Sequence, residues 1–301
     1  MFVINYLNDK LLKNIFNELR ANLLLELINS VLEDKGLEQI SNITYKDREI
    51  DPDFFKSKTS VVDLYVETSD NLGVNTEFQD RKITDYLKRS YLYNIRLADR
   101  LKEGEDFSKL NRTVGIHFIN FDLPDFQWTE EYHECLFLSN LKDVVVKNLT
   151  EMHFINIRAW RRLNRDVLRK TSKMSKLSKW TAFFCNSLKK VERKELIRSD
   201  PMLMQAANAT KDFFLKSENR VAYIKAEIDK MTEESEKRVA REEGWKDGLE
   251  EGRKEGWKEG LEEGRKESKV IVQNLLSKKY SKAEIHELTG LSVEKIEEYA
   301  C

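Results

Sequence analysis

Cysteine and proline are almost absent from this sequence, with three of each in 301 residues. Cys135, Cys185 and Cys301 are odd in number and far apart, which excludes a disulfide framework and a paired CxxC zinc site and fits a reducing cytoplasm. With only Pro52, Pro124 and Pro201 to interrupt it, the chain is free to form long helices. Glycine is scarce outside one tract. No stretch approaches the roughly 18 uninterrupted apolar residues that mark a membrane span, and Met1 to Lys13 holds no sustained apolar run of a secretion signal, so no membrane partner is expected. An excess of charge is missing too. The formal net charge is −1, so no global positive field draws the chain to nucleic acid and any such binding must come from local clusters.

What is present is charge of both signs, 35% of residues, beside 40% hydrophobic residues. That pairing allows a real core and favours helices with solvated faces. From Leu11 to Leu32 apolar residues recur at three and four, the spacing of one amphipathic helix, closed by Lys35-Gly36. Ile40 to Ile50 reads as a short polar strand or loop before Asp51-Pro52-Asp53 breaks the pattern. Thr59 to Glu67 and Gly73 to Gln79 have strand composition around a turn at Ser69-Asp70-Asn71 and predict a hairpin. A helix follows from Thr84 to Glu103, with Gly104 as its cap, and then strands at Thr113 to Phe121 and Met152 to Ile157. Helix, hairpin, helix and strand in that order predict an α/β core, a mixed sheet flanked by helices.

The second half is organised by charge. Arg158 to Arg198 is rich in Arg and Lys, including Arg161, Arg162 and Arg165, with Trp160 and Trp180 interleaved. It reads as the solvated face of a helical subdomain or as a surface that tracks DNA phosphates. Core residues run out near Lys230. Gly244 to Glu267 is a near-perfect duplicated unit of four-residue period with six glycines in one column. Each glycine costs a helix roughly 1 kcal/mol against alanine, while each Glu–Lys pair returns ~0.2–0.5 kcal/mol, so the tract is either a helix compensated by self-association or a flexible charged linker. Lys269 to Cys301 reads as three short helices, a helix-turn-helix-like unit or a small oligomerisation bundle. The expected division is 1–157 core, 158–230 basic helical subdomain, 231–268 repeat and 269–301 tail.

The chemistry concentrates in the hairpin. Glu77 and Gln79 are two apart on one strand and so share a face, with Asp63 on the neighbouring strand. Carboxylates converging from adjacent strands can hold Mg²⁺ or Mn²⁺ through oxygen while leaving positions for water and a phosphate oxygen. His117, His133, His153 and His286 are scattered without ligand spacing. The run Lys58-Thr-Ser-Val-Val-Asp63-Leu-Tyr-Val, then Gly73-Val-Asn-Thr-Glu77-Phe-Gln79, then Arg89-Ser-Tyr91-Leu-Tyr93 resembles the recombination-promoting nuclease/transposase (Rpn-type) family of the PD-(D/E)xK nuclease superfamily. The likeness extends through Trp180, Phe183 and Phe184 to the Gly-rich tail ending in Leu288-Thr-Gly-Leu-Ser-Val-Glu-Lys-Ile.

The resemblance implies a restriction-endonuclease-like fold, Mg²⁺- or Mn²⁺-dependent DNA cleavage, and a role in recombination or mobile elements. It makes Asp63 and Glu77 metal ligands, puts Gln79 in the place of the motif lysine, and gives Arg89 a phosphate to meet. Glu26 is the candidate for an upstream acidic ligand. Two functions remain open: a metal-dependent endonuclease whose tail pairs subunits, or a catalytically weak DNA- or protein-binding chain that keeps the fold.

Overall fold

Apolar spacing and side-chain caps together make the first helices. In the computed structural model, residues 4–46, 49–50, 60–61, 63–98, 106–107, 110, 112–142, 144–146, 149–166 and 171–300 are described. Helix α1 (Asp9–Ile15) starts at Asn8, whose side-chain oxygen accepts from the Lys10 and Leu11 amides. Helix α2 (Ala21–Asp34) buries Leu23, Leu24, Leu27, Ile28, Val31 and Leu32, the stripe its spacing predicts. The single helix expected over Leu11 to Leu32 is in fact broken. The Asn17 amide and the Arg20 guanidinium both donate to Asn14 O, at 2.8 and 2.9 Å, a single 3₁₀ turn bridges the gap, and Leu19 is left 93% exposed. Side chains that compete for backbone carbonyls end helices in this way. Gly36, at φ +67°, closes α2 as expected, with Leu37 N–H donating to Leu32 O at 2.9 Å.

The strands are β1 (Thr44–Tyr45), β2 (Glu49–Ile50), β3 (Ser60–Val61), β4 (Leu64–Glu67), β5 (Leu72–Gln79), β6 (Arg112–Ile119), β7 (His133–Phe137) and β8 (Thr150–Asn156). Six form one mixed sheet in the order β1-β4-β5-β6-β8-β7, while β2 pairs with β3. The expected hairpin is β4–β5, antiparallel, its turn made by Asn71 in the left-handed region. β5, β6 and β8 run parallel, so Gln79, Ile119 and Asn156 align at their C-terminal ends. Helix α3 (Tyr86–Ala98) is the helix expected from Thr84; Leu101 and its predicted cap Gly104 lie outside the described residues, as do Lys58 and Asp51 to Asp53. Edge strand β7 was not foreseen, because His133, Glu134 and Cys135 interrupt its apolar pattern.

One sheet face, through Val74, Phe78, Val114, Ile116, Phe118 and Ile155, packs in the core that holds α1 and α2. The same core takes in α5 (Lys176–Phe184), α6 (Lys190–Arg198) and α7 (Pro201–Leu215), which follow α4 (Ile157–Leu163). Phe184 meets Phe78 and Phe118 edge-on at 5.1 Å and stacks on Trp180. Trp160 and Trp180, interleaved with the basic residues in sequence, are both buried; Trp160 donates to Ser178 Oγ at 2.8 Å. The opposite face holds Tyr86, Ile119, Phe121 and Phe154. The mixed sheet with flanking helices is thus the α/β core that the element order predicts.

The chain divides into two compact units, Met1–Glu227 and Ile228–Cys301. Helix α8 (Ser217–Ser277) begins in the first, where Tyr223 is buried, and its later residues belong to the second. The repeat is helical along its whole length, and a Cβ added at any of its six glycines meets nothing within 4 Å. Val270 to Leu276, expected as a separate helix, continues α8, because no breaker separates it from the repeat. Helices α9 (Lys282–Thr289) and α10 (Val293–Ala300) follow, the first opened by the predicted Ser281–Glu284 capping box and closed by Gly290 at φ +70°. Val272, Ile285, Ile296 and Tyr299 form their small core.

Candidate active site

The β4–β5 ladder opens where two carboxylates meet. Pairing Leu64 with Thr76 sets Asp63 beside Glu77, and the two side chains replace backbone partners there. Glu77 Oε1 accepts from Asp63 N–H at 3.1 Å, and Asp63 Oδ2 accepts from Phe78 N–H at 3.0 Å. Strand parity does the rest. Phe78 points into the aromatic core, stacked between Phe16 and Phe118, while Glu77 and Gln79 lie on the other face, half-buried. Gln79 Nε2 donates to Arg81 O at 2.9 Å. Arg89, exposed on α3, stands 5.0 Å over the Tyr93 ring, and its charge acts on both carboxylates. The structure therefore brings Asp63 and Glu77 together, with Arg89 acting on them through its charge and Gln79 adjacent, its amide nitrogen engaged.

Burial dominates the electrostatics. It raises Glu77 to about 8, the nearby Asp63 carboxylate pushing the same way and the Asp63 N–H and Arg89 opposing. Burial raises Asp63 as well, against the hydrogen bond from Phe78 N–H. Two carboxylates so placed share a proton near neutrality unless a cation replaces it. The donor set is oxygen only, as Mg²⁺ or Mn²⁺ prefers, and so the pair fits a hard divalent ion. Among the described residues no third His, Cys, Asp or Glu side chain joins it in a ready metal cluster, so carbonyl, water or phosphate oxygens would fill the other positions.

Several neighbours escaped the sequence. His117 pairs with Glu77 across β5–β6, stacks on Phe154, and contacts Tyr86 OH through Nδ1 at 3.2 Å; burial lowers it to about 3, so its ring is neutral. Asp9 and Lys13 of α1, an ion pair at 2.6 Å, also act on the charge of Asp63. The only sequence signal for them was a helix start at Asn8-Asp9. Glu26 is elsewhere: it accepts from Trp180 Nε1 and answers to Asp200, Lys176 and Glu33.

The basic residues separate on inspection. Arg161 is tied to buried Glu192 at 3.2 Å, and Arg162 binds Asp122 through both terminal nitrogens at 3.0 and 3.2 Å. Arg165 lines an open concavity with Arg162, Asp122 and Trp128. Asp122 also accepts from Asn156, so this cluster sits at the end of the sheet where Gln79 ends β5. Open α/β sheets bind ligands at the carboxyl ends of their parallel strands.

The family description "PD-(D/E)XK nuclease family transposase" fits residues 6–240, which span sheet, carboxylate pair and basic helices. The chain belongs to this family. No curated protein and no solved structure matches it. As a PD-(D/E)XK nuclease family transposase, it is linked to mobile elements and to DNA as a substrate class, and nucleases of this kind generally use divalent metals. Among the described residues no helix is long and apolar enough to cross a membrane.

Proposed function

We propose that this family member is a cytoplasmic, Mg²⁺- or Mn²⁺-dependent DNA endonuclease of a recombination or mobile-element system, with Asp63 and Glu77 as metal ligands. The observation that carries the reading is their convergence at the open end of the hairpin, each holding the other strand's N–H. When bound, the divalent ion supplies charge stabilisation at a phosphate oxygen and a more acidic water. The chain's own residues do the rest. Asp63 and Glu77 shed their shared proton to bind. Gln79, its Nε2 committed to Arg81 O, offers Oε1 to a water and so orients it without adding positive charge. Arg89 supplies the missing positive charge at the scissile phosphate. Arg165 takes the flanking backbone, a contact that salt weakens, while Arg161 is spent on Glu192 and Arg162 reaches phosphate only by leaving Asp122. Subunits associate through the Gly column of α8, which brings two sites to one duplex.

Purified protein is incubated with supercoiled plasmid and Mg²⁺, Mn²⁺ or EDTA, beside Asp63→Ala and Glu77→Ala. Metal-dependent nicking that both substitutions reduce at least about 100-fold is the expected result, the size of losing a transition-state electrostatic contact. Cleavage that is absent, or unchanged in the variants, moves the reading to a DNA- or protein-binding chain that keeps a nuclease fold. The engaged Gln79 amide and the absent motif lysine are what favour that second reading.

A further inference from the structure

Asn5 and Asn8, just before α1, are held by the first turns of α8. Asn8 Nδ2 donates to Glu227 Oε1 at 2.7 Å. Asn5 Nδ2 lies 3.4 and 3.3 Å from the two Glu227 oxygens and 3.1 Å from Asp80 Oδ2, and Asn5 N–H donates to Tyr223 OH at 2.6 Å. Asp80 Oδ1 accepts from Asn120 at 2.9 Å, and Asn5 Oδ1 accepts from Asn186 at 2.7 Å. Asn8 and Tyr223 are buried, so water does not compete freely for these bonds.

Glu227 is thus linked through one carboxylate to two elements of the candidate site. Through Asn8 it holds the N-cap of α1, the helix that carries Asp9 and Lys13. Through Asn5 it reaches Asp80, the residue after Gln79. Asn8 performs two tasks with one amide: Oδ1 caps α1 while Nδ2 binds Glu227. Because the amide is planar, these bonds together fix how the first turn of α1 is rotated, and so how Asp9 and Lys13 face Asp63. At 2.7 Å the Asn8–Glu227 bond is at the short end of the N–H···O range, which suits it to fixing geometry.

We propose that Glu227 is a positioning residue for the carboxylate pair, acting through Asn8 on α1 and through Asn5 on the end of β5. The proposal rests on the nuclease reading above. Asn8→Asp isolates the effect, since it keeps a capping oxygen but sets a second carboxylate against Glu227. Glu227→Gln restores a donor, so the exchanged pair Asn8→Asp/Glu227→Gln rebuilds the bridge with its polarity reversed.

The experiment uses the full chain, well below its melting temperature, and measures Mn²⁺ affinity by calorimetry together with kcat and KM for plasmid nicking. Asn8→Asp is expected to lower kcat about tenfold and weaken Mn²⁺ binding, with KM almost unchanged, since small displacements near reacting groups cost rate steeply. Glu227→Gln alone, a milder change, falls between. The exchanged pair returns both quantities to near the wild-type values. A lowered melting temperature with unchanged kcat and Mn²⁺ affinity overturns the proposal, as does an exchanged pair no better than Asn8→Asp. A wild-type chain that neither binds Mn²⁺ nor nicks DNA overturns the nuclease reading, and the positioning role falls with it.

Discussion

Glu77 is held where its carboxylate is better protonated than charged, and this gives the metal-free protein a pH signature. Its folded value of about 8 lies above the ordinary 4.5, so between those values the folded chain binds more protons than the unfolded one. Stability is therefore lost as pH rises from about 4.5 to 8. Glu77→Gln removes that loss: in EDTA its melting temperature should exceed wild type at pH 8 and match it near pH 4.5. Mg²⁺ should raise the wild-type melting temperature most at pH 8 and leave the variant unmoved. Equal pH dependence in the two proteins would show that Glu77 is ordinary. Three histidines act in the opposite sense. Burial lowers His117, His133 and His153, so their contribution is present above about 6.5 and is lost as pH falls below it. His117→Phe, which keeps a ring on Phe154, should flatten that acid-side slope in urea melts run from pH 7 to 4. The sequence made Glu77 and Gln79 legible as one face through strand parity. It did not reveal the chain Asp34–His133–His153–Cys135, linked at 2.7, 2.9 and 3.6 Å, because its members come from α2, β7 and β8. Side-chain meetings across such separations leave no local pattern.

Elements were legible where one periodicity ruled and illegible where side chains intervened. The apolar stripe of α2 and the β4–β5 turn follow directly from spacing and from Asn71. The break between α1 and α2 did not, since it depends on Asn17 and Arg20 reaching one carbonyl, nor did β7, whose inward His133 and Cys135 both meet His153 of β8. Gly36 gives the test at this scale. Its φ of +67° disfavours any side chain even though an added Cβ would meet nothing within 4 Å. Gly36→Ala should therefore destabilise the chain by about 1 kcal/mol through backbone conformation alone, read as a lower urea midpoint at constant slope. Gly36→Asn should cost less, because Asn tolerates the left-handed region. An alanine variant as stable as wild type would mean that the α2 terminus relaxes to another cap.

At the scale of the whole chain, the repeat is the feature that its own fold does not explain. Six glycines each weaken a helix by roughly 1 kcal/mol relative to alanine, yet among the described residues none packs within 4 Å of a Cβ added at any of them. Trp245 and Trp257 stand 69% and 70% exposed in the same tract. Glycine at a fixed four-residue interval makes sense where another backbone comes close, and a helix turning about 100° per residue carries that column around its axis by about 40° per repeat. A partner following it would wind right-handedly. Gly248→Ala, Gly252→Ala, Gly256→Ala and Gly260→Ala combined should raise helicity by circular dichroism, since propensity improves at four positions, while sedimentation equilibrium shows a smaller assembly. Nicking by each subunit should persist, and conversion of plasmid to linear DNA, which needs two sites on one duplex, should fall. Higher helicity with an unchanged mass and unchanged linear product would make the repeat a rigid spacer and would leave the pairing of active sites to some other surface of the chain.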